Sequence, residues 1–334
     1  MCAKSANDVF SLLCDRLTGA RSLLVTTHAR SDGDALGSMA ALAGAARAAG
    51  KSVACVLPDA LPERYGFLFP DQKIPAGDRF AALADAADLV VIVDTCAASQ
   101  LEGIAEAIVA RRDKVAVVDH HRTVDDLGSV QWIDASAAAA GIMVMQVIEH
   151  LEWPMPLAVA EALMVAVTTD TGWLHFANTD AAALRAVAQC VAAGVRPDLL
   201  YKKLYQTDRP ERLKLIGRVL ESLELHCDGA LAAMTIRKSD FLATGATCEE
   251  TENLVNEALR VASVETAIIL VENGALVRVS LRSRDAIDVA EIARQYGGGG
   301  HRRAAGVRLA GDIDELKTQL VQRCTVALKA AGVG

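Results

Sequence analysis

Aromatic residues are scarce in this 334-residue sequence, at 4% of the chain. Bulky ring-filled cores are therefore excluded, and the heavy use of alanine points to helices packed closely together. No uninterrupted apolar run reaches the roughly 18 residues that a membrane-crossing helix requires. The opening residues, MCAKSANDVFSLLCDRL, carry acidic groups early and lack the basic, apolar and small-residue order of a signal peptide. A cytoplasmic protein without membrane association is expected. None of the eight cysteines forms a C-x-x-C pair, which removes zinc ribbons and thioredoxin-like redox motifs. Most lie in apolar settings and read as small buried hydrophobes. Positive charge is also in deficit, with a formal net charge of −8. Duplex DNA, which needs a broad basic face, is not an expected partner. A small basic pocket for one short anion remains compatible with that balance.

The chain is too long for one ordinary core, and apolar residues make up 52% of it. Its first part alternates apolar strand-like runs, Ser22 to Thr27, Val53 to Leu57, Leu89 to Val93 and Val115 to Val118, with helical patterns such as Asp34 to Ala49 before Gly50. Continuous apolar strands separated by helices imply a parallel sheet with helices on both faces. The expected organisation is an α/β domain over residues 1–193, a helical connector over 194–212 and a smaller α/β domain over 213–334. In the latter, Leu231 to Ile236 and Thr266 to Val271 read as strands. Asn273-Gly274 signals a hairpin into Leu276 to Leu281.

Four motifs in the first domain hold histidine and aspartate where strands or helices end: HARSDGDALGS from His28, VVIVDTC with Asp94, VAVVDHH with Asp119, His120 and His121, and VTTDTG with Asp170. The carboxyl ends of strands in an open α/β sheet share one edge, where ligands bind. His28, Asp32, Asp34, Asp94, His120 and Asp170 offer oxygen and imidazole donors without a thiolate, a set suited to Mn²⁺ or Mg²⁺. Six such ligands fit two ions about 3.5–4 Å apart that share a carboxylate. Without cations, four crowded carboxylates would repel one another. Taken singly, a D-x-D after a strand is an ordinary helix cap and a strand-terminal aspartate an ordinary turn residue.

In the second domain a helix near Asp288 runs into Gly297 to Gly300, followed by His301 and Arg302. Four glycines after a helix commonly form a stop and a turn; glycines also let backbone amides approach phosphate oxygens. Arg282 and Arg284, two apart on an expected strand, should share one face, and arginine suits phosphate recognition.

The four motifs resemble those of the DHH phosphoesterases, and GGGGHRRAAG with SLRSR upstream resembles the DHHA1 domain. The resemblance spans nearly the whole chain and is closest to the small stand-alone bacterial enzymes of that family that act as oligoribonuclease and pAp phosphatase. It implies His28, Asp32 and Asp94 on one Mn²⁺, with Asp34, Asp94, His120 and Asp170 on the other. His121 would face the substrate phosphate, with Asp119 supporting it from behind. Arg282, Ser283, Gly299, Gly300, His301 and Arg302 would bind substrate. The implied activity is two-metal hydrolysis of short single-stranded RNA, linear dinucleotides and 3′-phosphoadenosine 5′-phosphate (pAp), by a chain able to form a homodimer. The alternatives are a cyclic dinucleotide phosphodiesterase and a non-hydrolytic nucleotide- or RNA-binding module. One departure is that Arg30 and Ser31 stand where family members often have Asn-Pro.

Overall fold

Runs of β-branched and aliphatic residues make the strands of the first half, and both of their faces are apolar because both are covered. The computed structural model describes residues 6–70, 72–121 and 123–333, without the side chains of Ala6 and His301. The chain divides into two units, Met1–Thr207 and Asp208–Gly334.

The first unit runs α1 (Ala6–Gly19), β1 (Ser22–Thr26), α2 (Gly33–Ala48), β2 (Ser52–Cys55), α3 (Phe80–Ala86), β3 (Leu89–Val93), α4 (Ala105–Val109), β4 (Val115–Asp119), β5 (Val130–Ile133), α5 (Ala140–His150), α6 (Leu157–Asp170), α7 (Ala181–Ala192) and α8 (Pro197–Tyr205). Its five strands form one parallel sheet in the order β2-β1-β3-β4-β5. Successive residues of β3 serve opposite layers, as the period-2 geometry of a strand requires. Leu89, Val91 and Val93 join the core with Leu36, Met39 and Leu163, while Val90 and Ile92 pack with Phe80, Leu101 and Ile108. The expected parallel sheet, buried on both faces, is therefore present. β5 was not anticipated; it is short, and only Val130 and Trp132 are buried.

Alanine and glycine let α2 and α6 approach closely. A Cβ on Gly37 would stand 2.5 Å from the Ala162 carbonyl oxygen, and one on Gly33 would stand 2.4 Å from the Thr169 side chain. This contact brings the start of α2 against the end of α6, and so carries Asp32 and Asp34 towards Asp170.

The second unit runs α9 (Pro210–Glu221), β6 (Glu224–His226), β7 (Leu231–Ile236), α10 (Lys238–Thr244), β8 (Thr266–Asn273), β9 (Leu276–Ser283), α11 (Val289–Arg294), β10 (Gly299–His301), β11 (Ala304–Leu309) and α12 (Ile313–Ala330). Its sheet has the order β10-β11-β9-β8-β7-β6, with β7 and β8 parallel and the other neighbours antiparallel. The β8–β9 hairpin forms, but Asn273 closes the ladder opposite Leu276. Its two-residue loop is Gly274-Ala275, with Gly274 at φ 63°. The stretch 194–212 is divided between the units: Leu200 and Leu204 of α8 belong to the first core, and its last residues begin α9, which beyond them sends Leu215 and Val219 into the second. Five of the seven described cysteines are buried, and all seven are unpaired. No helix among the described residues is long and apolar enough to cross a membrane.

Candidate metal centre

The strand order reverses at β1, whose two neighbours are β2 and β3. In an open α/β sheet that reversal opens a crevice at the carboxyl ends of the strands. His28 follows β1 there, and Asp32 caps α2 by accepting from Ala35 N at 3.1 Å. Asp94 follows β3 in the left-handed region, at φ 61°. Its N–H donates to the Val118 carbonyl at 2.9 Å, which pins the strained residue between β3 and β4. Asp119 ends β4 and precedes His120 and His121, while Asp170 ends α6.

These side chains converge. His28 Nε2 lies 3.6 Å from Asp94 Oδ2, and His120 Nε2 lies 3.3 Å from Asp94 Oδ1, 3.6 Å from Asp34 Oδ2 and 3.5 Å from Asp170 Oδ2. Donor atoms of His28, Asp32 and Asp94 cluster within 4.8 Å of one another, as do those of Asp34, His120 and Asp170. Asp94 touches both clusters. Its Oδ1 is buried without a hydrogen-bond partner among the described residues, although His120 Nε2 stands close by. Donors that crowd together without bonding to one another aim at a common point between them, which is the geometry of a cation site.

The tautomers suit that role. His28 donates from Nδ1 to the Ala29 carbonyl at 2.9 Å, and His120 from Nδ1 to the Ala137 carbonyl at 3.1 Å. Each ring thus turns its Nε2 to the centre, the usual way an outer hydrogen bond fixes a ligating histidine. Asp34 is almost wholly buried and accepts from Ala140 N at 2.6 Å and from Gly141 N and Ser38 Oγ at 2.9 and 3.0 Å. The helix-cap role of a D-x-D motif is therefore filled as well: Asp32 caps α2, and Asp34 accepts from the first N–H groups of α5, whose own cap residue, Ala139, has no side chain to do so.

Electrostatics without cations are unfavourable. Burial and the charges of Asp94 and Asp170 push the Asp34 carboxyl well above its usual range, and burial above all pushes Asp170 up to about 6. Burial pulls the imidazolium forms of His28 and His120 down, but contact with Asp94 outweighs it and raises them to about 9 and about 10. Asp94 stays ionised despite its burial, because His120 and His28 hold its carboxyl below the usual value.

His121 is built differently. Its Nδ1 donates to Asp119 Oδ1 at 2.8 Å, so that nitrogen is engaged and Nε2 is left for another partner. The ring stands edge-on to His120 and is 38% exposed.

In the second unit, Arg278, Ser280 and Arg282 alternate along β9 with buried Val277, Val279, Leu281 and Ser283. Arg282 is half-buried and pairs with no carboxylate among the described residues, donating only to the Leu281 carbonyl at 3.1 Å. Burial lowers its pKa. Ala304 of β11 lies opposite it. The glycine run is ordered as a turn leading into β10. Gly297 has φ 78°, and Cβ atoms on Gly298 and Gly300 would strike the backbone of β11, so the fold itself requires these glycines. Gly299 faces open space and has no such structural requirement.

Two expectations fail here. Arg284 does not share the face of Arg282, because β9 ends at Ser283 and the Arg284 guanidinium donates to the Leu259 and Ala262 carbonyls. Ser283 projects to the opposite, buried face, where its Oγ accepts from Ile287 N at 3.4 Å. Arg302 and Arg303 both engage exposed Asp285, at 3.5 and 3.2 Å. The backbone of His301 lies in β10; its side chain is outside the described residues.

Residues 22–167 match the DHH family, N-terminal domain, and residues 231–326 match the DHHA1 domain. The bifunctional oligoribonuclease and PAP phosphatase NrnA of Thermus thermophilus is 30% identical over 317 residues, which cover 93% of this chain and 91% of that one. The chain belongs to the DHH phosphoesterase family. As a DHH phosphoesterase it is a hydrolase, and its family's dependence on divalent metals agrees with the donor set described above. The protein of the same name from Bacillus subtilis is 27% identical over 86% of this chain and 89% of its own. The crystal structure of an exopolyphosphatase-related protein from Bacteroides fragilis superposes with a TM-score of 0.90 at 22% identity, covering 97% of this DHH chain and 98% of that one, and so shares its fold.

Proposed function

We propose that the protein hydrolyses short RNA oligonucleotides, including linear dinucleotides, and pAp, using two divalent cations, Mn²⁺ foremost. The observation that carries the reading is Asp94, a buried carboxylate grouped with His28 and Asp32 on one side and with His120 and His121 on the other, with one oxygen lacking a hydrogen-bond partner among the described residues. His28, Asp32 and Asp94 would hold one cation, and Asp34, Asp94, His120 and Asp170 the other. When bound, such a pair supplies charge stabilisation at phosphorus and a nucleophile from water near neutral pH.

The chain's own residues do the rest. Nε2 of His121, with Nδ1 anchored on Asp119, is available to hydrogen-bond a phosphate oxygen of the reacting group. Arg282 is a half-buried cation without an anionic partner among the described residues, suited to a phosphate that does not react. Gly299 leaves backbone open to close approach, and Arg302 adds positive charge. The substrate class follows the names of the relatives, both oligoribonucleases and PAP phosphatases.

The test combines cation uptake with product analysis. The metal-free protein should bind two cations, and the loaded protein should release mononucleotides from dinucleotides and inorganic phosphate from pAp. In Asp94→Ala both cation sites should weaken and every hydrolysis should cease. Turnover of cyclic dinucleotides in preference to linear ones, or binding of nucleotides without any product, would replace this reading with one of its rivals.

A further inference from the structure

The two donor clusters are supported in different ways. The side chains of His28 and Asp32 are held by bonds within residues 28–35: His28 Nδ1 to the Ala29 carbonyl, Ser31 Oγ to the His28 carbonyl at 2.6 Å, and Ala35 N to Asp32. The backbone of that loop is tied to the Gln100 carbonyl through Ala29 N at 2.8 Å and to Asp59 through Arg30 N at 2.7 Å. Asp34, His120 and Asp170 come from three distant segments, and each is tied to the same short alanine-rich stretch, residues 137–141. The Ala137 carbonyl accepts from His120 Nδ1. The N–H groups of Ala140 and Gly141, the first of α5, donate to the two oxygens of Asp34. The Ala138 carbonyl accepts from Asn178 Nδ2 at 3.1 Å, and that same amide nitrogen donates at 3.1 Å to the carbonyl of Asp170.

We propose that residues 137–141 and Asn178 form a backbone bracket that sets the geometry of the second cation site alone, with Asn178 as its positioning residue. The inference rests on the two-cation reading above. The side chains of this stretch have no polar chemistry; its peptide groups do the work. Asp34 is buried and ionisable, so a pair of helix-terminal N–H groups is what fixes its orientation. Gly141 must be glycine, since a Cβ there would lie 2.4 Å from that of Ala166 and 3.4 Å from Asp34 Oδ1. Asp170 is the last residue of α6, where its carbonyl has no helical partner. The amide of Asn178 meets that carbonyl and links it to the bracket. Partners that orient ligands in this way are worth about 10- to 100-fold in metal affinity.

The experiment is calorimetric titration of the metal-free full chain with Mn²⁺, as wild type, Asn178→Leu and Asn178→Ala. The wild type should show two classes of site. In both variants one class should weaken by about tenfold or more, while the other is unchanged. Hydrogen exchange on the unmodified protein supplies a check that needs no variant: loading with Mn²⁺ should slow exchange at the Ala140 and Gly141 amides. Two unchanged classes in a folded variant, equal weakening of both, or exchange at Ala140 and Gly141 indifferent to Mn²⁺ would overturn the bracket. A wild type that takes up at most one cation would overturn the two-cation reading and the bracket with it, a result distinct from two intact classes in the variants.

Discussion

Asp119 holds His121 by two bonds to one oxygen: Nδ1 of the ring donates to Oδ1 at 2.8 Å, and the His121 backbone N–H donates to the same atom at 3.1 Å. The carboxylate is fully buried, so the ring's orientation is built into the end of β4. An Asn in its place keeps the size and loses the charge that fixes the Nδ1 proton. Asp119→Asn should therefore lower kcat by at least about tenfold with cation content intact. Steady-state kinetics with metal analysis measure this; undiminished kcat, or loss of bound metal, would remove Asp119 from that role.

Cation binding should release protons. The rings of His28 and His120, raised to about 9 and about 10, keep their protons at neutral pH in the metal-free fold, whereas the unfolded chain loses them above about 6.5. Their contribution to metal-free stability is thus complete below about 6.5 and disappears as pH rises through about 9 to 10. A cation needs the Nε2 lone pairs, so its affinity should climb with pH over that same window. Calorimetry near neutral pH in buffers of different ionisation enthalpy should report about two protons released per pair of cations. A binding enthalpy indifferent to buffer would contradict the assignment.

Two neighbouring arginines should behave oppositely. Arg282 has no anionic partner among the described residues, and Arg284 is spent on backbone carbonyls. Losing a charge-assisted phosphate contact costs about 1.5–3 kcal/mol, or roughly 10- to 150-fold in kcat/KM, so Arg282→Ala should raise KM for dinucleotides. Arg284→Ala should lower unfolding stability and leave KM alone. Reversed results in paired kinetic and denaturation assays would reassign both residues.

Helix contact in the first unit predicts a second contrast. Gly37→Val drives a side chain into the Ala162 and Ala166 backbone and should destabilise by about 1–3 kcal/mol or more. Gly217, inside α9 with nothing near its missing Cβ, is free of that constraint. Gly217→Ala should stabilise by about 0.4–1 kcal/mol. Denaturant unfolding measures both, and a Gly37→Val protein as stable as wild type would refute the close α2–α6 approach.

Strands β1, β3 and β4 were legible because each is a continuous apolar run, and β7, β8 and β9 because each is bounded by turn signals. Strands β10 and β11 were not: a glycine-rich triplet and the stretch from Ala304 carry no period-2 signal, and they become strands by pairing along β9. Ser283 follows the alternation that sets it opposite Arg282, whereas Arg284 departs from it. Alternation predicts which face a side chain takes only as far as the strand continues, and β9 stops at Ser283. Asn178 gave no signal because an exposed asparagine in a loop is unremarkable until its partners are known.

The sequence by itself determined the donor types, their order along the chain and their positions at the ends of strands and helices. Those features depend on local propensity, capping and turn chemistry within a few residues. Only the tertiary structure decided that β1 and β3 are neighbours, so that His28 and Asp94 meet, and that Asp94 lies beside both His28 and His120. It alone decided that an alanine stretch holds Asp34 and His120 in place. Strand adjacency and peptide-group contacts are fixed by burying both faces of the sheet and by pairing buried polar groups across long stretches of chain, and neither leaves a mark on any single segment.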